Sequence, residues 1–255
     1  MELPFPPPPD NDDAVFPFAH NGDDGGGGVR ELPLFPLNVV LFPHMPLPLH
    51  IFEERYKEMI GRCLQDSRPF GIVLIAQGAA EEEKGAGRVV THGVGCSARV
   101  AHVERLADGR MNILVVGEQR FRILDTHERD AFRTGITVAV NDVGAADADS
   151  VAPLASEVER LLRDFLSRTL ALAGRAGETL DLPDDPERLS FATACILPLD
   201  PSKKQELLEQ TDTGARLACE RDMLLREVAR LKRAEAARSP EPVSATRFSA
   251  FRCRN

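Results

Sequence analysis

The chain has 255 residues, of which 43% are hydrophobic and 28% charged, so it is long enough to bury one large core or two modest ones. Its formal net charge of −9 argues against a general binder of nucleic acids or anionic membranes, because phosphate contacts require a basic surface. Its five cysteines stand far apart and form no C-x-x-C pair, which indicates neither a disulfide framework nor a zinc knuckle and fits a reducing cytoplasm.

The first 28 residues are predicted to form a disordered, acidic, proline- and glycine-rich tail. They hold six acids and no lysine or arginine, with proline at positions 6–9 and glycine at 25–28, so they bury too little apolar surface to offset the entropy of ordering them. Phe16, Pro17 and Phe18 are either incidental in this tail or a docking motif for a partner. We expect no signal peptide, because the first residues have no basic n-region and no uninterrupted apolar h-region, and no membrane span, because no run reaches about 18 apolar residues.

Residues 32–64 join two patterns without a spacer. Prolines at positions 33, 36, 43, 46 and 48 stand among large apolar residues, which predicts extended edge segments and turns because proline lacks an N–H and fixes φ. Apolar residues at 52, 56, 59, 60, 63 and 64 then share one face of a predicted helix, with Glu53 and Glu54 in its first turn. We interpret Cys63 on this face, and Cys195 on a later helix, as small core residues.

From residue 30 to about 142 the pattern favours a small, strongly curved sheet or partial barrel. Residues 70–75 form a continuous apolar run that is typical of a strand covered on both faces, whereas the acidic stretch 79–87 predicts a loop. Gly93 and Gly95 indicate a bulge or bend. Asp108-Gly109 between two apolar runs predicts a hairpin, and alternation at 121–126 and in 136–140 adds further strands.

Residues 143–150 are small and acidic and mark a predicted boundary, after which the apolar period changes from two to about 3.6. A continuous apolar stripe from Leu154 to Leu172 predicts a long helix ended by Gly174 and Gly177. Asp185-Pro186 and Asp200-Pro201 each predict a helix start, and Asp212 or Thr213 caps a last helix.

These patterns predict an α+β protein in which a β-rich subdomain, 30–145, is followed by a helical bundle, 150–232. The remaining residues, 233–255, are basic and are predicted to be a disordered tail.

No pattern predicts a catalytic centre, a cofactor or a metal site. Residues 93–98 fit G-x-G-x-x-A, but a dinucleotide site needs a helix start there, and the following residues have a strand pattern. Neither a nucleotide-binding G-x-x-x-x-G-K-[ST] loop nor a G-x-S-x-G elbow occurs. Histidines at 44, 50, 92, 102 and 127 could converge on a metal with Cys96 or Glu104, but without paired ligands at helical spacing scattered surface histidines are the simpler interpretation.

Several spaced motifs resemble the amino-terminal, substrate-binding domain of ATP-dependent Lon proteases, a domain that also occurs as a separate small protein. They are LPLFPL at 32–37, VLFP at 40–43, LPLHIFEERY at 47–56, FGIVLI at 70–75, VG at 94–95, DGR at 108–110, GEQRFR at 117–122 and KQELLE at 204–209. The resemblance covers roughly residues 30–232 and implies a PUA-like β fold, without the nucleotide-hydrolysing and peptidase modules of full Lon. The chain departs from the family at His44, where glycine is usual, and at Phe132, where tyrosine is usual.

The apolar, proline-broken stretch has two interpretations. Its side chains simply close the core, or some of them border a groove in which exposed strand edges bind extended polypeptides through backbone hydrogen bonds. The resemblance implies the second role, with unfolded or client polypeptides and a Lon-like protease as partners. The candidate groove residues are Leu34, Phe35, Phe42, Leu47, Phe52, Tyr56 and Phe70.

Two rival hypotheses remain open at this stage. PUA-like sheets also bind RNA, and a local basic patch could form despite the acidic total, from Arg88, Arg99, Arg105, Arg110, Arg120 and Arg122. The other rival is an enzyme whose site is assembled from residues distant in sequence. The oligomeric state does not follow from any of these patterns.

Overall fold

The computed structural model describes residues 28–76, 89–128, 131–143, 148–175, 177 and 181–238, and within them it contains six strands and five helices. Their order is β1 (Arg30–Leu37), β2 (Pro46–Ile51), α1 (Glu54–Gln65), β3 (Phe70–Ile75), β4 (Thr91–Arg105), β5 (Met111–His127), β6 (Thr134–Ala139), α2 (Ala148–Leu172), α3 (Pro186–Ile196), α4 (Pro201–Glu209) and α5 (Thr213–Arg238). Apart from α1, the strands precede a run of four helices, which confirms the predicted α+β class.

Five of the strands close into a barrel. The sheet order is β2-β5-β4-β3-β1-β6, and β6 also pairs with β5, so the ring closes while β2 stays outside it. The long strand β5 makes this possible, because residues 111–116 pair with β2 and residues 121–127 pair with β6. Close packing needs glycine at the predicted bend, since a Cβ on Gly95 would lie 2.4 Å from the carbonyl oxygen of Ile72.

Strand β3 and helix α1 both contribute side chains to the core of the barrel region. Strand β3 is buried along almost its whole length, as its continuous apolar run predicts. Helix α1 adds Tyr56, Met59, Ile60 and Cys63 to the same core, and burial raises the pKa of the Cys63 thiol to about 11, which suits a packing residue. Phe132 lies in this core at 6% exposure, so the departure from tyrosine leaves a packed aromatic ring there.

The departure from the family at His44 lies in a tight turn at residues 42–45. His44 has φ +64°, the left-handed region that glycine adopts without strain. Its N–H donates to the Gly117 carbonyl at 2.8 Å, and the Gly117 N–H donates back to the Met45 carbonyl at 3.0 Å. The turn therefore survives with histidine because β5 holds it in place.

Two helices of the bundle, α3 and α5, begin at residues that the sequence predicts as helix starts. The Asp185 carboxylate accepts from the Arg188 N–H at 2.8 Å, and the Asp212 carboxylate accepts from the Ala215 N–H at 2.9 Å, so Asp212 is the cap of α5. Gly174 and Gly177 both have positive φ after α2. Helices α2, α3 and α5 share one buried apolar cluster, in agreement with a bundle.

One predicted boundary needs correction. Helix α5 continues to Arg238, into the segment 233–255 that the basic composition assigned to a disordered tail. The heptad-like apolar positions end at Leu231, but the last turns still consist of good helix formers such as Ala, Glu and Arg. Residues 1–27 and 239–255, the predicted loop at 79–87 and the Phe16-Pro17-Phe18 motif lie outside the described residues.

The barrel and the bundle meet across a buried interface that has an apolar and a polar part. Phe42 and Val94 of the barrel region pack with Phe191, Leu207 and Leu208 of the bundle. The Gln205 side chain donates to the Val94 carbonyl at 2.9 Å. Arg120, Asp142 and Arg216 form the polar part, in which the Asp142 carboxylate accepts from both guanidinium groups.

Candidate functional site

Most of the predicted groove residues lie in the core. Leu34, Phe35, Phe42, Tyr56 and Phe70 are between 0% and 7% exposed. Strands β1 and β3 lie within the closed ring, Tyr56 is packed from α1, and Phe42 is covered by the bundle. This burial corrects the expectation that these five side chains border an open groove. Leu47 is half-buried against the same core, whereas Phe52 is 60% exposed and remains available to a partner.

A different surface of the same region is open to solvent. Cross-strand partners project to one face of a sheet, and the register pairs Pro46 with Val116 and Pro48 with Leu114 on the face opposite the core. Phe52, which follows β2, extends this face. We call the following set the outer face, and all its members are exposed or half-buried: Pro46, Pro48, His50, Phe52, Arg99, His102, Glu104, Asn112, Leu114 and Val116.

The outer face has an apolar centre between two polar ends. Two prolines of β2 and Leu114 and Val116 of β5 occupy the centre. At the hairpin end, Asn112 links the three strands, since its Oδ1 lies 2.8 Å from His50 Nδ1 and its Nδ2 donates to Glu104 at 2.8 Å. At the other end Arg99 pairs with Glu118. An apolar patch inside a polar rim is the usual anatomy of a surface that binds another protein.

Phe52 stands at the hairpin end of the outer face. Its ring stacks on His50, with ring centroids 6.1 Å apart and an interplanar angle of 27°. Because His50 is itself held by Asn112, the exposed phenyl ring has a fixed neighbour and loses little rotamer freedom when a partner covers it. This residue is the one member of the predicted groove that is strongly exposed.

The free edge of β2 is a poor template for strand addition. Pro46 and Pro48 lack an N–H, so the β2 residues that exchange ladder bonds with β5 are the alternate ones, Leu47, Leu49 and Ile51. The outward edge then offers the carbonyls of Pro46, Pro48 and His50 but only the N–H of His50. Prolines on an edge strand protect it from pairing with another chain. The outer face therefore offers mainly side chains, and this edge supplies few of the expected backbone hydrogen bonds.

Three of the six arginines proposed for an RNA-binding patch are buried or already paired with an acid. Arg120 is 2% exposed and donates to the carbonyls of Leu208 and Gln210, so it cannot reach a phosphate. Arg99 and Arg110 each pair with an acid, Glu118 and Asp108 respectively, and Arg88 lies outside the described residues. The RNA hypothesis is thus not supported.

The other candidate sites are also accounted for. Residues 93–98 continue within strand β4, so no helix start follows the glycines there. Among the described residues, no group of three or more His, Cys, Asp or Glu side chains is arranged to hold a metal ion. No helix in the described ranges is both long and apolar enough to cross a membrane.

Comparison with known proteins identifies the family. The model of the ATP-dependent protease La (LON) substrate-binding domain matches residues 31–226. The chain belongs to this family. A Lon protease of Xanthomonas oryzae pv. oryzae is 31% identical over 190 residues, and one of Anaeromyxobacter dehalogenans is 28% identical over 197 residues. The matches cover 74% and 77% of this chain but only 22% and 23% of those proteases.

Two solved structures share the architecture of this Lon substrate-binding domain. A Lon N-terminal domain protein from Xanthomonas campestris aligns with a TM-score of 0.53 and 25% identity, covering 74% of this chain and 95% of that one. The N-terminal domain of Mycobacterium avium complex Lon protease aligns with a TM-score of 0.59 at 20% identity, covering 77% of this chain and 98% of that one. These alignments confirm the Lon-type fold that the spaced motifs predict.

Sequence reasoning missed the outer face of this Lon-family domain. In 111–116, apolar residues point alternately to the core and to solvent, so the run MNILVV carries little period-two signal that would distinguish Leu114 from Ile113. The usable clue was Pro46 and Pro48, because alternate prolines mark an edge strand and share one face of it.

Proposed function

We propose that this Lon substrate-binding domain recognises exposed apolar segments of unfolded or client polypeptides through its outer face. The observation that carries the proposal is the apolar centre formed by Pro46, Pro48, Leu114 and Val116, next to the 60% exposed ring of Phe52. Membership of a substrate-binding family supports the class of ligand. The buried core cluster under β2 and β5, which includes Leu49, Ile51 and Ile113, supports the face, so a client meets a preformed surface.

The proposed interaction is weak and tolerant of sequence. Apolar surface gains about 25 cal/mol for each Å² removed from water, and a bound chain gives back much of this gain in lost conformational freedom. Because β2 provides almost no backbone donors, no fixed register is imposed on the client. Side-chain burial alone then selects apolar segments, which folded proteins keep inside and unfolded proteins expose.

We further propose that the chain serves as an adaptor, presenting clients to a Lon-like protease in the cytoplasm. The relatives that it matches are themselves Lon proteases, which supports a Lon-like protease as the partner. In this proposal the chain itself is not an enzyme. A weak, reversible client interaction suits such a transfer, because the client must leave the adaptor.

Calorimetric titration of a permanently unfolded model polypeptide into the purified chain tests the proposal. Phe52→Ser and Leu114→Thr together should weaken binding at least tenfold, because two apolar side chains of the outer face are removed. Leu124→Thr is the matched control, since Leu124 belongs to the same strand, is 56% exposed and lies outside the outer face. Equal binding by all three proteins, or no binding by the wild type at high micromolar concentration, would count against the outer face as the client site.

A further inference from the structure

A small cavity of about 90 Å³ lies beside the start of α1. Its apolar lining includes Leu34 and Phe132, and its polar lining comes from Arg55, Tyr56, Arg133 and Glu128. A volume of this size accommodates a carboxylate with a small apolar group attached, and it is too small for a nucleotide or a sugar ring system.

Hydrogen-bond donors with spare capacity surround this cavity. The Arg133 side chain is 14% exposed, and its Nη1 donates to the Val89 carbonyl at 2.7 Å. Its Nε and Nη2 approach Glu128 Oε1 at 3.4 and 3.3 Å. A guanidinium carries five N–H groups, so these bonds leave two of them unused among the described residues.

Arg55 contributes a second partly used guanidinium. Its Nε donates to Glu53 Oε2 at 2.9 Å, its Nη2 lies 2.7 Å from the same oxygen, and its guanidinium carbon lies 4.6 Å from the centroid of the Tyr56 ring. Neither N–H group on Nη1 takes part in these contacts. Burial raises the pKa of the Tyr56 hydroxyl, so at neutral pH this group remains a protonated donor at the cavity.

Glu128 is the one acid that lines the cavity, and its hold on Arg133 is weak. The carboxylate is 57% exposed and its two contacts with the guanidinium are long, at 3.3 and 3.4 Å. Because the acid is exposed and its contacts are long, this ion pair contributes little free energy. An incoming carboxylate can therefore replace Glu128 at Arg133 and at the same time gain bonds from Arg55 and Tyr56.

We propose that this cavity binds a carboxylate of a bound polypeptide, carried by its chain terminus or by an acidic side chain, through Arg55, Tyr56 and Arg133. The inference rests on the proposed function, because the client brings the carboxylate. The geometry permits one client to reach both sites: Phe52 of the outer face and Arg55 of the cavity are three residues apart, a span of at most about 11 Å. The cavity gives the apolar outer face a charged anchor point.

Fluorescence anisotropy with a labelled, apolar five-residue peptide tests the anchor on the full chain. The peptide with a free carboxyl end should bind about tenfold tighter than its amide, because charge-assisted hydrogen bonds form only with the carboxylate. Tyr56→Phe and Arg133→Gln should both reduce this ratio, and Glu128→Gln should increase it. Arg230→Gln, which removes one arginine of an exposed pair on α5, is the control and should leave the ratio unchanged.

The ratio of the two affinities decides whether the cavity binds the carboxylate. A ratio near one for the wild type, or a ratio that neither Tyr56→Phe nor Arg133→Gln alters, would overturn it. Tyr56→Phe guards against a folding defect in Arg133→Gln, since it removes one hydroxyl from a ring that stays packed on Phe35 at 4.2 Å. An amidated peptide with an internal glutamate distinguishes the two carboxylate sources, and binding at the free-acid level would support the side chain as the source.

A separate ligand distinguishes failure of the anchor from failure of the proposed function. N-acetylalanine alone should shift the NMR resonances of residues around the cavity, and Arg133→Gln should abolish these shifts. If N-acetylalanine binds in this way but unfolded polypeptide does not, the cavity assignment stands and the proposed function fails. If polypeptide binds without any effect of carboxylates or of Arg133→Gln, the anchor is wrong and the proposed function stands.

Discussion

Removing the charge of Asp142 should cause a large loss of stability. Its carboxylate is 2% exposed and pairs with Arg120 and Arg216, which are 2% and 0% exposed, while the Thr213 hydroxyl donates to it as well. Asp142→Asn keeps the size of the side chain but removes the only carboxylate that is hydrogen-bonded to either buried guanidinium group among the described residues. Breaking a buried pair costs about 3–5 kcal/mol. This is a large share of the 5–15 kcal/mol that is usual for a folded domain.

Guanidinium-induced unfolding, followed by circular dichroism, measures this loss as a difference in free energy of unfolding. Glu206→Gln is the control, because the Lys203–Glu206 pair is 53% and 63% exposed and its loss should cost less than about 1 kcal/mol. Adding Arg120→Met to Asp142→Asn should recover part of the loss, since one uncompensated charge disappears. A loss below about 1 kcal/mol for Asp142→Asn would refute the view that this buried carboxylate holds barrel and bundle together.

Three further substitutions test local physical claims by the same unfolding assay. Glu220 is fully buried without a hydrogen-bond partner among the described residues, and burial raises its pKa well above the ordinary value. Its folded state therefore holds the proton more tightly, so stability should fall as pH rises above about 4.5. Glu220→Gln should remove this fall and stabilise the protein at pH 8; an unchanged pH profile would contradict it. Ser67 has φ +52° just after α1, where Arg68 N–H bonds to the Cys63 carbonyl at 2.9 Å, so Ser67→Gly should add roughly 0.5–1 kcal/mol. Gly117→Ala should cost roughly 2–4 kcal/mol, because its Cβ would lie 2.2 Å from the Phe42 carbonyl oxygen, and a loss under about 1 kcal/mol would show that the turn can move.

Local signals predicted the elements of the fold well. The Asp185-Pro186 start of α3 and the Asp108-Gly109 hairpin follow from backbone chemistry that acts within a few residues. The spaced Lon-type motifs added the overall architecture, which no period or cap determines. Both kinds of signal can be identified from short runs of neighbouring residues.

Exposure and long-range pairing could not be predicted in this way. Phe35 and Phe52 are both aromatic residues in the apolar stretch 32–64, yet the first is 6% and the second 60% exposed. The pairing of β5 with β6 closes the ring, and this long-range contact decides which side chains are buried. The Arg120–Asp142–Arg216 cluster likewise joins Asp142 to residues 22 and 74 positions away, and an isolated aspartate near a predicted boundary gives no sign of its two partners.

Site-specific photocrosslinking tests most directly where a client binds. A benzophenone amino acid is placed singly at position 52 or 114, and at the exposed control positions 124 and 225, and an unfolded polypeptide is added before irradiation. If the outer face is the client surface, crosslinks form at 52 and 114 and are weak at Leu124 and Leu225, which are 56% and 47% exposed. Crosslinks that appear equally at all four positions, or only at the control positions, would contradict the account.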